Sequence, residues 1–221
     1  MVLFTRVAIA ALLSLATNFA FAQQAGGAEA APGSDVPPPQ ATAPVAATGT
    51  LVFDVLPFRS EIALKPKVES QLKSGAIEWG VKDGQIVITM VNKRFIDFDI
   101  AHMTRYGQSE TVQLPAGEYR VTGLGLEMHT AFSVEKVLAK GAYVNEDILV
   151  LTIEPGKTTK LTIDPIIQKD NTFFVQFFMP ALLTSITPPD GTATTPRVIN
   201  QREATSIAWP QYNGTLKFRA K

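Results

Sequence analysis

Leu149-Val150-Leu151-Thr152-Ile153-Glu154-Pro155-Gly156-Lys157-Thr158-Thr159-Lys160-Leu161-Thr162-Ile163 reads as two extended runs around a turn. Side chains on a strand point to alternate faces, so Leu149, Leu151 and Ile153 share one side of the first run. Leu161 and Ile163 do the same on the second. Pro155 presets φ at the first central turn position, and Gly156 supplies the positive φ that a type II turn needs at the second. The stretch predicts a hairpin and sets the fold class as β.

Working outward, a period of two dominates from Gly49 to about Ile186. Leu51, Phe53 and Val55 alternate with Val52 and Asp54. Ile77, Trp79 and Val81 lead to Lys82-Asp83-Gly84, and Ile86, Ile88 and Met90 lead away, which predicts a hairpin over 76–92. Val87 and Val91 on the opposite face predict an interior strand, or one covered on two sides. From Phe95 to His102, one face carries Ile96, Phe98, Ile100 and His102, and the other Phe95, Asp97, Asp99 and Ala101. Val112 and Leu114 enter a type I turn at Pro115-Ala116-Gly117, and Tyr119 and Val121 begin the return strand. After Gly123 the apolar set becomes Leu124, Leu126 and Met128, which is the opposite parity. One inserted residue would restore the phase, so a bulge or bend is expected near Thr122–Gly125. Phe173 to Met179 holds four Phe and is expected near a sheet centre, because an exposed aromatic strand invites aggregation.

Two short helices fit the remaining pattern. Pro66 to Ser74 has Pro in its first turn and Gly75 as a stop. Ser133 to Lys140 has Ser133 as an N-cap and Gly141 as a stop. Both are too short to stand alone and read as connectors. The fold expected is mainly β: an antiparallel β-sandwich, or a small barrel, with one or two short connector helices.

Leu114-Pro115-Ala116-Gly117-Glu118-Tyr119-Arg120-Val121 resembles a turn-and-strand stretch of transthyretin-like, carboxypeptidase-regulatory-type β-sandwich modules. The resemblance spans Glu110 to Val121. It implies a module of a kind that is usually a non-catalytic attachment in exported proteins, and it carries over no functional residue.

The ends of the chain read differently. Arg6, the apolar run Val7 to Ala16 and the small-x-small Ala20-Phe21-Ala22 predict a signal peptide over 1–22, and hence export to a periplasmic or extracellular compartment. Thr17, Asn18, Gln23 and Gln24 interrupt the stretch, which argues against a spanning helix, so no transmembrane segment is expected after cleavage. Residues 23–48 are rich in Ala and Pro, with Pro37-Pro38-Pro39 inside, and read as a disordered linker that supplies distance. The sandwich is expected over 49–186. Residues 187–221 read as a C-terminal loop with a candidate short hairpin around Ser206–Trp209 and Thr215–Phe218.

Composition narrows function. Lys plus Arg number 20 and Asp plus Glu number 20, which argues against nucleic-acid binding through bulk charge. The chain has no Cys, so it can have neither a disulfide framework nor a thiol nucleophile. Gly156-Lys157-Thr158 imitates the end of a phosphate loop, but Leu151 stands where the first Gly belongs. Gly123-Leu124-Gly125 opens a dinucleotide fingerprint that Met128 breaks. Asp97 and Asp99 share one face, and Glu127 and His129 another; were those strands neighbours, the four could form a metal or acid–base cluster. Without that adjacency no catalytic residue, metal or cofactor is assigned. The basic excess between Arg59 and Arg94 is modest and suits a solvated surface.

The residues singled out for interaction are Trp209, Tyr212 and Phe218, in a segment that either docks on its own domain or adds to a partner's sheet edge. The leading expectation is a non-enzymatic structural or interaction module with an envelope protein partner. The alternatives are a receptor for a small molecule or glycan using Trp79, Trp209 and Tyr212, or a hydrolase with a carboxylate–His site.

Overall fold

The computed structural model describes residues 46–90, 96–97, 100–127, 134–168, 180–214 and 219–220. Strands are numbered in chain order. One sheet runs β12 (Arg197–Val198), β11 (Ala181–Thr187), β10 (Thr158–Ile167), β1 (Thr48–Val55), β7 (Gln108–Pro115), with β2 (Arg59–Ser60) also on β10. The second runs β13 (Ile207–Ala208), β9 (Ala142–Ile153), β8 (Gly117–Leu126), β4 (Gln85–Thr89), β3 (Ala76–Lys82), β6 (His102–Arg105). A two-residue ladder pairs β5 (Ile96–Asp97) with β14 (Arg219–Ala220). The helices are α1 (Pro66–Lys73) and α2 (Val134–Gly141).

The fold is mainly β, as the period of two requires, and the two sheets face each other without closing into a barrel. They are mixed rather than antiparallel, because β1–β10, β2–β10 and β4–β8 run parallel. The cause lies in the turns. Asp83 and Gly84 take φ of 49° and 74°, the pair of positive values of a type I′ turn, and β3–β4 form the expected hairpin. Glu154–Lys157 also turns as expected, with the Lys157 N–H donating to the Glu154 carbonyl at 3.2 Å and Gly156 at φ 67°. Yet β9 and β10 do not pair. The Gly156 N–H donates to the Thr48 carbonyl, and the Thr50 N–H donates to the Lys157 carbonyl, each at 2.8 Å. Backbone of β1 thus takes the groups a hairpin would use, and the chain arches from one sheet to the other. Pro115-Ala116-Gly117 behaves likewise, sending β7 and β8 to opposite sheets. There the Tyr119 hydroxyl donates to the Pro115 carbonyl at 2.8 Å and pins the arch.

Between the sheets lies one apolar cluster. Leu51, Phe53, Leu161, Ile163 and Leu182 come from the first sheet, and Ile77, Trp79, Ile86, Ile88, Val121 and Leu151 from the second. A second cluster covers the outer face of the second sheet, where Val87, Leu124, Ala142 and Val144 meet Leu138 of α2, Ile100 and Trp209. This explains the parity change in β8: Val121 faces inward and Leu124 faces the second cluster, so nothing has to restore the phase. A register break does lie between Val121 and Gly123, but the extra residues are on β9, where Asp147 takes φ 54°.

One edge of the sandwich is strapped by residues 197–201. Asn200 Nδ2 donates to the Pro180 carbonyl at 2.9 Å, and its Oδ1 accepts from the Leu182 N–H at 2.8 Å. Asn145 Nδ2 donates to the carbonyls of Ile199 (3.0 Å) and Gln201 (2.7 Å), and the Tyr143 hydroxyl to that of Asn200 (3.0 Å). The strap approaches β8 closely enough that Gly123 leaves no room for a Cβ, which would stand 1.9 Å from the Ile199 oxygen.

The run from Phe95 to His102 is not one strand. β5 pairs with β14, and β6 begins at His102 in the second sheet. Phe173 to Met179, Phe95, Phe98, Asp99 and Ser133 lie outside the described residues.

Candidate functional site

Opposite the strap, the sandwich ends in β6 and β7. Tyr106-Gly107 joins them by a third arch: Gly107 takes φ 78°, and its N–H donates to the Val55 carbonyl at 2.9 Å. Inward-facing side chains of the two edges therefore meet. His102 Nδ1 is hydrogen-bonded to Glu110 Oε1, and Thr104 Oγ1 donates to Glu110 Oε2 at 3.1 Å. Buried Trp79 needs an acceptor for its indole N–H and finds Thr104 Oγ1 at 3.0 Å. The Phe53, Trp79 and His102 rings stack in series, with 4.2 Å between successive centroids. The Thr104 hydroxyl bonds the carboxylate rather than the imidazole, so the trio lacks the nucleophile–base–orienter order of acyl-transfer relays. It forms a polar plug across the mouth of the apolar interior. Beside it, burial pushes the Tyr106 hydroxyl up to about 12.

The backbone of β7 is the second feature. One flank pairs with β1 over its whole length. Among the described residues no strand pairs with the other. The Ala116 N–H donates to the Ala47 carbonyl at 2.8 Å, which sets the phase of this ladder. Antiparallel pairs alternate, so the N–H and C=O of Thr111 and Gln113 point away from β1. Their side chains, with that of Ser109, lie on the outer face of the sheet and are exposed. That face is polar and cross-linked. Gln113 Nε2 donates to Thr50 Oγ1 at 2.9 Å, and Ser109 donates to Asp54. Burial alone would raise the Asp54 carboxyl, but the Lys160 ammonium, at 2.7 Å, and the Ser109 hydroxyl outweigh it and hold the group below its ordinary value.

The residues singled out from the sequence fare differently. Trp209 is buried in the outer cluster, where it packs against this chain's own strands, and Tyr212 is half-buried beside it. Burial pushes the Tyr212 hydroxyl up to about 12, although its contact with Gln85 works the other way. Phe218 lies outside the described residues, as do Asp99 and His129. Asp97 is on β5, which pairs with β14 and not with the strand leading to Glu127; Glu127 is bound by Arg202 at 2.6 Å. The four-residue cluster is therefore not assembled among the described residues, where no group of three or more His, Asp or Glu side chains could hold a metal ion. His102 takes a strand end with its ring hydrogen-bonded, but it faces the inter-sheet cluster beside Trp79, whereas Ile100, which the alternation puts on the same face, packs into the outer cluster. Trp79 is fully buried, so it offers no surface to a glycan.

Sequence reading missed Glu110 and Thr104. Their signal was faint: single polar residues at inward positions of edge strands. One concavity accompanies the edge, and another lies away from it on β4, β8 and β9. One, of about 330 Å³, lies between α1 and β3–β6 and is lined by Leu72, Glu78, Met103, Arg105 and Tyr106. The other, of about 500 Å³, lies at the β9 irregularity among Asp83, Glu118, Arg120, Glu146 and Asp147, with Arg120 bridging to Asp147 at 3.0 Å. Among the described residues no helix is long and apolar enough to cross a membrane. Comparison of the chain with protein-family models, with curated proteins and with solved structures gives no match.

Proposed function

We propose that the chain is an exported, non-enzymatic β-sandwich module of a bacterial-type cell envelope, acting as an interaction component that receives a partner's strand along β7. The observation that carries this reading is the flank of β7 that no described strand pairs. Exposed edges are normally blunted by brevity, Lys, Pro, bulges or inward-pointing charges, because their unpaired backbone groups recruit other chains. β7 is eight residues long, has no Lys, carries Pro only at its last position and keeps unbroken register with β1, and its one inward charge, Glu110, is engaged by His102 and Thr104. An added strand would satisfy its outward N–H and C=O groups. The export part rests on the sequence of residues 1–22, and the attachment role accords with the resemblance around Glu110 to Val121.

The test is Thr111→Pro. Pro at an edge removes only an outward donor, so the ladder to β1 should survive. Photo-crosslinking from position 113 in envelope preparations should yield a defined adduct with the native chain and lose it with the variant, while circular dichroism stays unchanged. The same adduct with the folded Pro variant, or no adduct with either, refutes the proposal. The 330 Å³ cavity favours a second reading, a small-molecule receptor, since its volume falls at the lower end of ligand sites.

A further inference from the structure

We propose that the strand received by β7 is a basic one: an extended segment with Lys or Arg facing Glu110 and an aliphatic residue two positions away facing Val112. This rests on the strand-addition reading and adds the partner's chemistry to it. β7 presents two different rows. Ser109, Thr111 and Gln113 face the outer surface, and Glu110, Val112 and Leu114 face the other way, toward the space between the sheets. Side chains directly opposite across a ladder lie close enough to interact, with opposite charges favourable and like charges unfavourable. Glu110 is the single ionisable residue of β7. Its carboxylate is bound by His102 and Thr104 yet about a third exposed, and a carboxylate has about four acceptor sites, so it can take a further donor from the open side. Val112 is partly buried against the inter-sheet cluster, so the neighbouring inward position asks for an apolar side chain.

A second copy of this chain is the competing occupant. Antiparallel pairing of β7 with β7 places Glu110 opposite itself or opposite an uncharged residue, since the strand has no cation to offer. Charge complementarity therefore favours a basic foreign segment.

The experiment uses the purified protein and the labelled peptide Ser-Val-Thr-Lys-Thr-Val-Ser, which puts a Val opposite Val112 in either strand direction, with Gln and Glu in place of Lys, followed by fluorescence anisotropy. The Lys form should bind about fivefold tighter than the Gln form, in line with one favourable cross-strand charge pair, and tighter still than the Glu form. Raising the salt concentration should shrink that preference. Glu110→Gln, with its fold checked by circular dichroism, should abolish the preference while leaving the Gln form bound, and Thr111→Pro should abolish all binding. Equal affinity for the Lys and Glu forms, lost in Thr111→Pro, would overturn the basic partner and leave strand addition standing. Binding that survives Thr111→Pro, or self-association without peptide binding, overturns the inference as well; the former, and absence of any binding or self-association, also sinks the strand-addition reading.

Discussion

Gly123→Ala tests whether the strap over residues 197–201 closes the sandwich. The added methyl would meet the Ile199 oxygen at 1.9 Å and its carbonyl carbon at 2.7 Å. These are backbone atoms, so the strap itself must withdraw by more than about 1 Å to reach normal contact. That movement strains or breaks the two bonds from Asn145 and the one from Tyr143, all to carbonyls of the strap. A net hydrogen bond contributes about 1 kcal/mol, and a buried donor left unsatisfied costs about 1–3 kcal/mol. The expected loss is roughly 3–5 kcal/mol, or on the order of 10 °C in Tm for a chain of this size. Gly156→Ala supplies the contrast. Its Cβ would meet nothing within 4 Å, but φ is +67°, so the cost is conformational, about 1–2 kcal/mol. Urea unfolding of both variants, followed by the fluorescence of Trp79 and Trp209, measures the two costs. If Gly123→Ala loses no more than Gly156→Ala, the strap is not held as described.

Thr104→Val should cost about 1–3 kcal/mol, because it leaves the buried Trp79 N–H without an acceptor, whereas Thr104→Ser should retain most of the stability. Urea midpoints and the indole proton resonance report both. All four tyrosines are raised by burial, with Tyr106, Tyr143 and Tyr212 at about 12. Folded protein should therefore show less phenolate absorbance at pH 10–11 than the unfolded chain, and a step on unfolding. The unfolded chain releases these protons near pH 10 and the folded chain later, so stability present below pH 10 falls as pH rises from 10 to 12. Tyr106 accounts for at most about 3 kcal/mol of that loss.

Local chemistry made some of this legible in the sequence. Asp83-Gly84 can take the two positive φ values of a tight hairpin turn, and Pro66 with Gly75 bounds α1. Glu154-Pro155-Gly156-Lys157 was legible as a turn but not as an arch. A turn motif fixes four residues, whereas the sheet joined by the next strand is decided by a competitor for its backbone, here β1, about a hundred positions earlier. The parity change after Gly123 was visible, but alternation alone cannot say whether a face meets water or a second apolar layer. Trp209 looked like an interaction residue because nothing local shows that Leu138 and Val144 come to cover it. The edge pair of His102 and Glu110 escaped notice for the same reason: its partners are brought together by an arch.

The central place of β1 has a kinetic consequence. Among the described strands it is the earliest in the chain, yet Thr50 finds its ladder partners at Gln113 and Thr158. Contacts of such sequence separation are closed late and slowly. While the first strand waits for neighbours still to be synthesised, its apolar residues Leu51, Phe53 and Val55 stand ready to pair with whatever else is at hand. The fold therefore needs protection while it is being made more than after it is finished.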